Sequence, residues 1–209
     1  MMKPWQVSGR ISVALAFAAA AMLLVSACSI TGGPRQYRLL SPEIEMPPLP
    51  AVQVHAPVLA LSRPEADRAR DSSRILVRHN RALKPWSGAV WVDGIPDLLQ
   101  TLAVEYLDQR VAVAGRYGSL PADYRLDLEV RRFELVDDNG RLSADIRLVA
   151  RLLDAGGQLV DTARLASAAP AGEKSLDAGI GAMETALEDV LEELAGWLAV
   201  QLAAAAESN

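Results

Sequence analysis

The sequence predicts an α+β domain: a mixed, largely antiparallel sheet with two helices packed on one face, preceded by a lipoprotein signal peptide and a Pro-rich tether. Three observations carry this. Apolar and charged residues alternate from Tyr124 to Leu152 around a Gly-containing turn, the pattern of a sheet with one wet face. Apolar residues recur at three- and four-residue steps over 94–109 and again over 175–204, the pattern of two amphipathic helices. An apolar run near the N-terminus ends at the one cysteine of the chain, Cys28.

The N-terminal run justifies the signal. Residues 11–25, ISVALAFAAAAMLLV, hold one polar residue, Ser12, and follow Lys3 and Arg10 with no acidic residue before them. A positive start, an apolar stretch and small residues at its end make a secretory signal. The stretch is short for a helix crossing a hydrocarbon core, which needs about 20 residues. Val25-Ser26-Ala27-Cys28 resembles the bacterial lipobox. In lipoproteins that thiol carries a thioether-linked diacylglycerol and becomes the first mature residue, and small neighbours admit it to the peptidase. Several acyl chains, each burying ~0.8 kcal/mol per CH₂, anchor a protein permanently. The competing readings are an ordinary signal with an incidental cysteine, or an uncleaved anchor helix. Ser29 follows Cys28; in lipoproteins Asp at that place favours the inner membrane, so Ser29 points to the outer membrane.

The expected organisation is 1–27 signal peptide, 28–50 lipidated Cys28 and tether, and 51–206 folded domain. The mature chain of 182 residues keeps 19 basic and 26 acidic side chains, a formal −7, against −5 for the whole. That balance disfavours a nucleic-acid binder and a domain lying flat on anionic lipid. One cysteine excludes a disulfide framework and a cysteine-built zinc site, and two histidines, His55 and His79, leave little for a His-rich metal site.

In the tether, Gly32-Gly33-Pro34, Pro42, Pro47-Pro48 and Pro50 deny a regular helix. Its 22 residues reach at most about 70 Å. Inside it, Tyr37-Arg38-Leu39-Leu40 is an apolar patch able to dock as a short strand. Val52, Val54 and Val58 alternate with Gln53 and His55 as a strand, 62–73 reads as a loop, and Arg74–Arg78 as a second strand. Asp93 is the expected N-cap of the first helix, with Pro96 tolerated in its first turn. Val111, Val113 and Gly115 suggest a short strand after it.

From Tyr124 the alternation keeps Leu126, Leu128 and Val130 on one face, then slips so that Phe133 and Leu135 continue it. One extra residue at Arg131-Arg132 is what a β-bulge does. Asp137-Asp138-Asn139-Gly140 is a hairpin turn, and Leu142, Ala144, Ile146, Leu148, Ala150 and Leu152 face one way on the return strand. After Asp154–Gly157 a third strand follows at 158–167. In the last helix, Ser175 is the N-cap, and Leu176, Ile180, Met183, Leu187, Val190, Leu194 and Trp197 form the core stripe. Its end, Trp197–Ala206, overhangs the sheet in this reading. Trp91, Leu99, Phe133 and Trp197 are expected between sheet and helices.

No catalytic constellation stands out. Gly179-x-Gly181 lies within a helix and lacks a third glycine, and Asp137–Gly140 lacks the distal Glu of an EF-hand. Asp127 and Glu129 share a face but alternate with Arg125 and Arg131, so they read as an ion-pair ladder. No catalytic, cofactor-binding or metal residue is assigned; the one site residue is Cys28, for lipidation.

The order of several short motifs resembles the ABC-type transport auxiliary lipoprotein component family, which includes the paraquat-inducible C-type lipoproteins. They are Cys28, Tyr37-x-Leu39, Asp71-Ser72-x-Arg74-Ile75, Trp91-x-Asp93-x-x-Pro96-x-x-Leu99-Gln100, Asp123-Tyr124-x-Leu126 and Arg132-Phe133-Glu134. The resemblance implies a mixed sheet with two helices and no catalytic residues. It also implies an accessory role beside an ABC permease, its ATPase and a substrate-binding protein with a mammalian-cell-entry (MCE) domain, in systems thought to move lipids or other hydrophobic molecules between membranes. Three functions follow as expectations: an outer-membrane-anchored docking module, in a homo-oligomer that caps the MCE-domain protein; a carrier holding a hydrophobic ligand between sheet and helices; and, least supported, a periplasmic enzyme. The expected docking surfaces are the free edge of the meander and the end of the last helix.

Overall fold

The computed structural model describes residues 36–42 and 57–207. The signal, Cys28, His55 and the strand expected at Val52 and Val54 lie outside them.

The longest strand organises the sheet. β7, Tyr124–Asp138, pairs along one side with β8, Arg141–Asp154, and β8 pairs with β9, Leu159–Ser167, all antiparallel. Along its other side β7 meets three short strands in succession, all parallel to it: β2 (Val58–Leu61), β3 (Glu65–Ala66) and β4 (Arg74–His79). One stretch of chain, interrupted by the turn at 67–73, therefore accompanies β7 along its length. β6, Val113–Arg116, adds outside β2; β5, Ala82–Trp91, adds outside β4. At the far margin β1, Gln36–Arg38, lies parallel to β5, with Gln36 beside Ala89 and Arg38 beside Trp91. The apolar patch in the tether thus docks as a strand, and Leu40 behind it is buried.

The slip in alternation is a bulge at Arg131: the β7–β8 register shifts between Val130 and Arg132. The extra residue turns Phe133 and Leu135 inward with Leu126, Leu128 and Val130, and sends Arg132 and Glu134 to the opposite face. The turn after Asp138 uses Asn139 and Gly140 at φ 51° and 87°, the left-handed pair that a two-residue hairpin requires.

Two helices cover one face: α1, Ile95–Arg110, and α2, Leu176–Glu207. The N-cap of α1 is Gly94 rather than the expected Asp93, whose carboxylate accepts from the Gly94 N–H at 2.7 Å. The first turn does not need a side-chain cap. Ile95 donates to the Ser72 carbonyl, and Pro96 has no N–H to satisfy. In α2 Ser175 does cap, its Oγ accepting from Ala178 N–H at 3.2 Å. Leu187, Val190, Leu191, Leu194 and Leu198 are fully buried against the sheet, and Gly179 lets the helix approach closely. A β-carbon there would stand 2.9 Å from Leu135.

Three further expectations are corrected. The region 62–73 is not wholly loop, since Glu65 and Ala66 pair with β7. Trp197 is only half-buried, because its indole N–H donates to Asp161 of β9 at 3.0 Å and holds the ring at the sheet margin. The end of α2 does not simply overhang: Leu202 is buried, whereas Val200 is 64% exposed.

Candidate interaction site

Most of the motif residues do structural work around the 67–73 turn. Asp71 accepts from Arg63 at 2.8 Å, and the same guanidinium holds Asp97 of α1 through two bonds of 2.9 and 3.0 Å. The Arg63 bonds, opposed by partial burial, hold the Asp97 carboxyl below its usual range. The Ser72 and Ser73 carbonyls accept from Ile95 and Trp91. Gln100, buried in α1, donates to the Leu61 carbonyl at 2.9 Å, and Asp123 fixes the start of β2 by accepting from Val58 N–H at 2.9 Å. Trp91 and Phe133, both 1% exposed, meet edge to face at 6.4 Å.

Glu134 closes this turn over the helix-free face. It is 1% exposed and is held by Arg70 of the turn and by Arg78 of β4, the latter at 3.0 Å. Arg78 also reaches Asp145 at 2.9 Å, where Arg132 and Arg147 donate at 2.7 and 2.9 Å. Burial alone would raise the Asp145 pKa, but the bonds from Arg132 and Arg147 outweigh it and hold the carboxyl below its ordinary value. Sequence reasoning missed this cluster. Further along the same face the expected ion-pair ladder is present: Arg125–Asp127 at 3.2 Å, and Arg131 and Arg151 on Glu129 at 2.9 Å each. His79 has its Nδ1 3.1 Å from the Asp137 carbonyl, the bond of an ordinary strand end.

The outward surface is uneven. Tyr37 and Leu39 on the N-terminal arm are 72% and 67% exposed, unlike the internal motif residues. Leu159 and Val160 at the start of β9, and Val200 on α2, are also exposed, and the Trp197–Asp161 bond draws these two elements together. β9 pairs with β8 alone among the described residues, leaving its other side as a strand edge. A cleft of about 510 Å³ opens at the far end of β7, lined by Tyr117, Leu120, Tyr124, Arg125, Asp154 and Gly157. It lies beside the β8–β9 turn, not between sheet and helices. Among the described residues no three metal-ligating side chains converge, and no helix is long and apolar enough to cross a membrane.

The fold has solved counterparts. A crystal structure of protein XCC0632 from Xanthomonas campestris superposes with a TM-score of 0.70 at 29% identity, over 81% of this chain and 99% of that one. A crystal structure of a second, uncharacterized protein gives 0.64 at 14% identity, over 79% and 99%, and speaks for the fold alone. In sequence, protein bll6063 of Bradyrhizobium diazoefficiens is 27% identical over 151 residues, 71% of this chain; the chain spans only 41% of that relative's length. The family model described as ABC-type transport auxiliary lipoprotein component matches residues 37–195. That match starts at Tyr37, covers every strand from β2 to β9 and reaches well into α2, so the chain belongs to the ABC-type transport auxiliary lipoprotein component family.

Proposed function

We propose that this protein is the accessory lipoprotein of an ABC-type intermembrane transport system for lipids or other hydrophobic molecules. In this reading it is cleaved before Cys28, acylated there, held at the outer membrane facing the periplasm, and acts by docking on the MCE-domain protein. The observation that supports docking over carriage is where the apolar surface sits. The space between sheet and helices is filled by Leu99, Leu107, Phe133, Leu187 and Leu194, each at most 1% exposed. The exposed apolar side chains Leu159, Val160 and Val200 instead line the β9 edge and the last turns of α2, the two surfaces expected to dock. An open strand edge is a ready template for a partner strand, and neighbouring apolar side chains set the register. Several copies of such a module raise avidity without new chemistry, which favours a homo-oligomer.

The full lipidated chain, extracted in detergent and mixed with the soluble MCE-domain protein, tests this. Light scattering should show a complex and an oligomer, and Leu159→Glu with Val200→Glu should abolish the complex. Absence of binding at tens of micromolar overturns docking; a purified chain that carries bound lipid by native mass spectrometry restores the carrier reading. Cys28→Ala should lose labelled palmitate, and Ser29→Asp should move the protein to the inner-membrane fraction.

A further inference from the structure

The arm fixes more than it first shows. β1 runs parallel to β5 and enters from the side of the β4–β5 turn, with Gln36 beside Ala89. Gln36, where the described arm begins, is therefore the end of β1 that faces that turn. Eight Cα steps separate Cys28 from Gln36, and at 3.3–3.6 Å per residue they reach at most about 29 Å. An acyl anchor at Cys28 thus holds this margin of the domain near the bilayer, far closer than the 70 Å reach of a 22-residue tether would allow.

The same margin has an unusual charge. From Ser72 to Val92 the chain carries Arg74, Arg78, His79, Arg81 and Lys84 and no acidic residue, although acids outnumber bases 26 to 21 overall. Arg78 is engaged by Glu134 and Asp145, but Arg81 and Lys84 at the turn are exposed and pair with nothing among the described residues. Two residues on from Lys84 stands half-buried Trp86, whereas Tyr37 of the arm lies beside Val90, toward the other end of β5. The neighbouring β7–β8 turn adds exposed Arg141, and Lys174 bound to Asp137 at 2.6 Å, against exposed Asp138. α2 is the counterpart: seven acids and no base, with Asp177 paired to Arg38 and the stretch Glu184–Glu193 carried away from this end.

We propose that the β4–β5 turn, presenting Arg81, Lys84 and Trp86, forms a membrane-facing surface that rests on anionic lipid headgroups. The proposal rests on the reading that Cys28 is acylated, and adds the orientation that reading leaves open. Cations together with a Trp are side chains that suit a headgroup layer. The chain's net negative charge forbids flat contact, but at physiological salt fields decay within about 8 Å, so a contact made by one tip feels its own local charge. The domain then stands on this end and presents the β9 edge and the end of α2 toward the periplasm.

The test uses the full acylated chain, its acyl mass verified, in phosphatidylcholine vesicles with or without phosphatidylglycerol. Cys28 is blocked by acylation, so Ala82→Cys at the turn and Gln158→Cys at the opposite end of the β7–β8 ladder each take a single bimane label; both sites are exposed. Doxyl-labelled lipid should quench the Ala82 label at least about twofold more than the Gln158 label in anionic vesicles, and Arg81→Glu with Lys84→Glu should erase the difference. Circular dichroism confirms that each variant is folded. Equal quenching at both sites, with acylation intact, overturns the orientation alone. A chain found without acyl mass overturns the anchor reading and this proposal together. A label at Ala82 insensitive to lipid but shielded from aqueous iodide by the MCE-domain protein gives the surface to a protein instead, and also overturns it.

Discussion

Glu134 and Asp145 stand directly opposite one another across the β7–β8 ladder, both acidic and both buried. Like charges so placed repel, and only the arginines make the pair tolerable. Arg78 spans both, Arg70 reaches Glu134 from the turn, and Arg132 and Arg147 complete Asp145. The arrangement ties β4, β7, β8 and the 67–73 turn into one unit.

Glu134→Ala removes the acid that joins Arg70 to Arg78, while Arg70 keeps Asp67 and Arg78 keeps Asp145, so the loss is that of hydrogen bonds to a charged group, about 1.5–3 kcal/mol. Glu134→Ala should therefore lower the urea midpoint sharply and loosen the 67–73 turn, seen as faster amide exchange at Asp71 and Ser72. A variant within about 0.5 kcal/mol of wild type would show that Asp67 and Asp145 suffice to hold Arg70 and Arg78.

The Asp145 carboxyl is held below its unfolded value, so its contribution is full above about pH 4 and is lost as the pH falls through the folded value. Asp145→Asn should be clearly less stable than wild type near neutrality. The gap should narrow below about pH 4, where the wild-type carboxylate is protonated too. Urea titrations at several pH values check this, and a gap constant with pH would remove Asp145 from the acid response.

Local pattern made the meander and α2 legible: the bulge at Arg131, the Asn139-Gly140 turn and the Ser175 cap each follow from neighbours in sequence. β5 was not legible, because Pro85 and Gly88 interrupt it and its register with β4 jumps between Arg74 and Leu76. Glu134 alternates with Phe133 and reads as a wet-face residue; Arg70 and Arg78, 64 and 56 residues away, are what cover it. The exposed cations at Arg81 and Lys84 were in plain view, but the direction in which the arm enters the sheet needed the parallel β1–β5 register.

Glycines in α2 separate helix propensity from packing. Gly181 and Gly196 have no atom within 4 Å of an added β-carbon, so Gly181→Ala and Gly196→Ala should each stabilise by up to about 1 kcal/mol. Gly179→Ala gains the same propensity but presses on Leu135 at 2.9 Å and Leu142 at 3.2 Å. It should show no gain, or a loss, in thermal unfolding. Equal stabilisation by all three would mean that the helix shifts freely on the sheet.

Docking of the arm depends on Leu40, 4% exposed, together with the backbone bond from Val92 N–H to the Arg38 carbonyl at 2.9 Å and the Arg38–Asp177 pair. Cleavage by trypsin after Arg38 requires the arm to lift from β5 first. Local opening of this kind follows its own free energy, separate from global unfolding. Leu40→Ala removes buried apolar contacts worth about 2 kcal/mol or more, which should raise the population of the lifted arm, and with it the cleavage rate at Arg38, by about thirtyfold. Lifting of the arm is a local opening, so the melting transition should move less than the cleavage rate. Cleavage as slow as in wild type would mean that β1 pairing alone retains the arm.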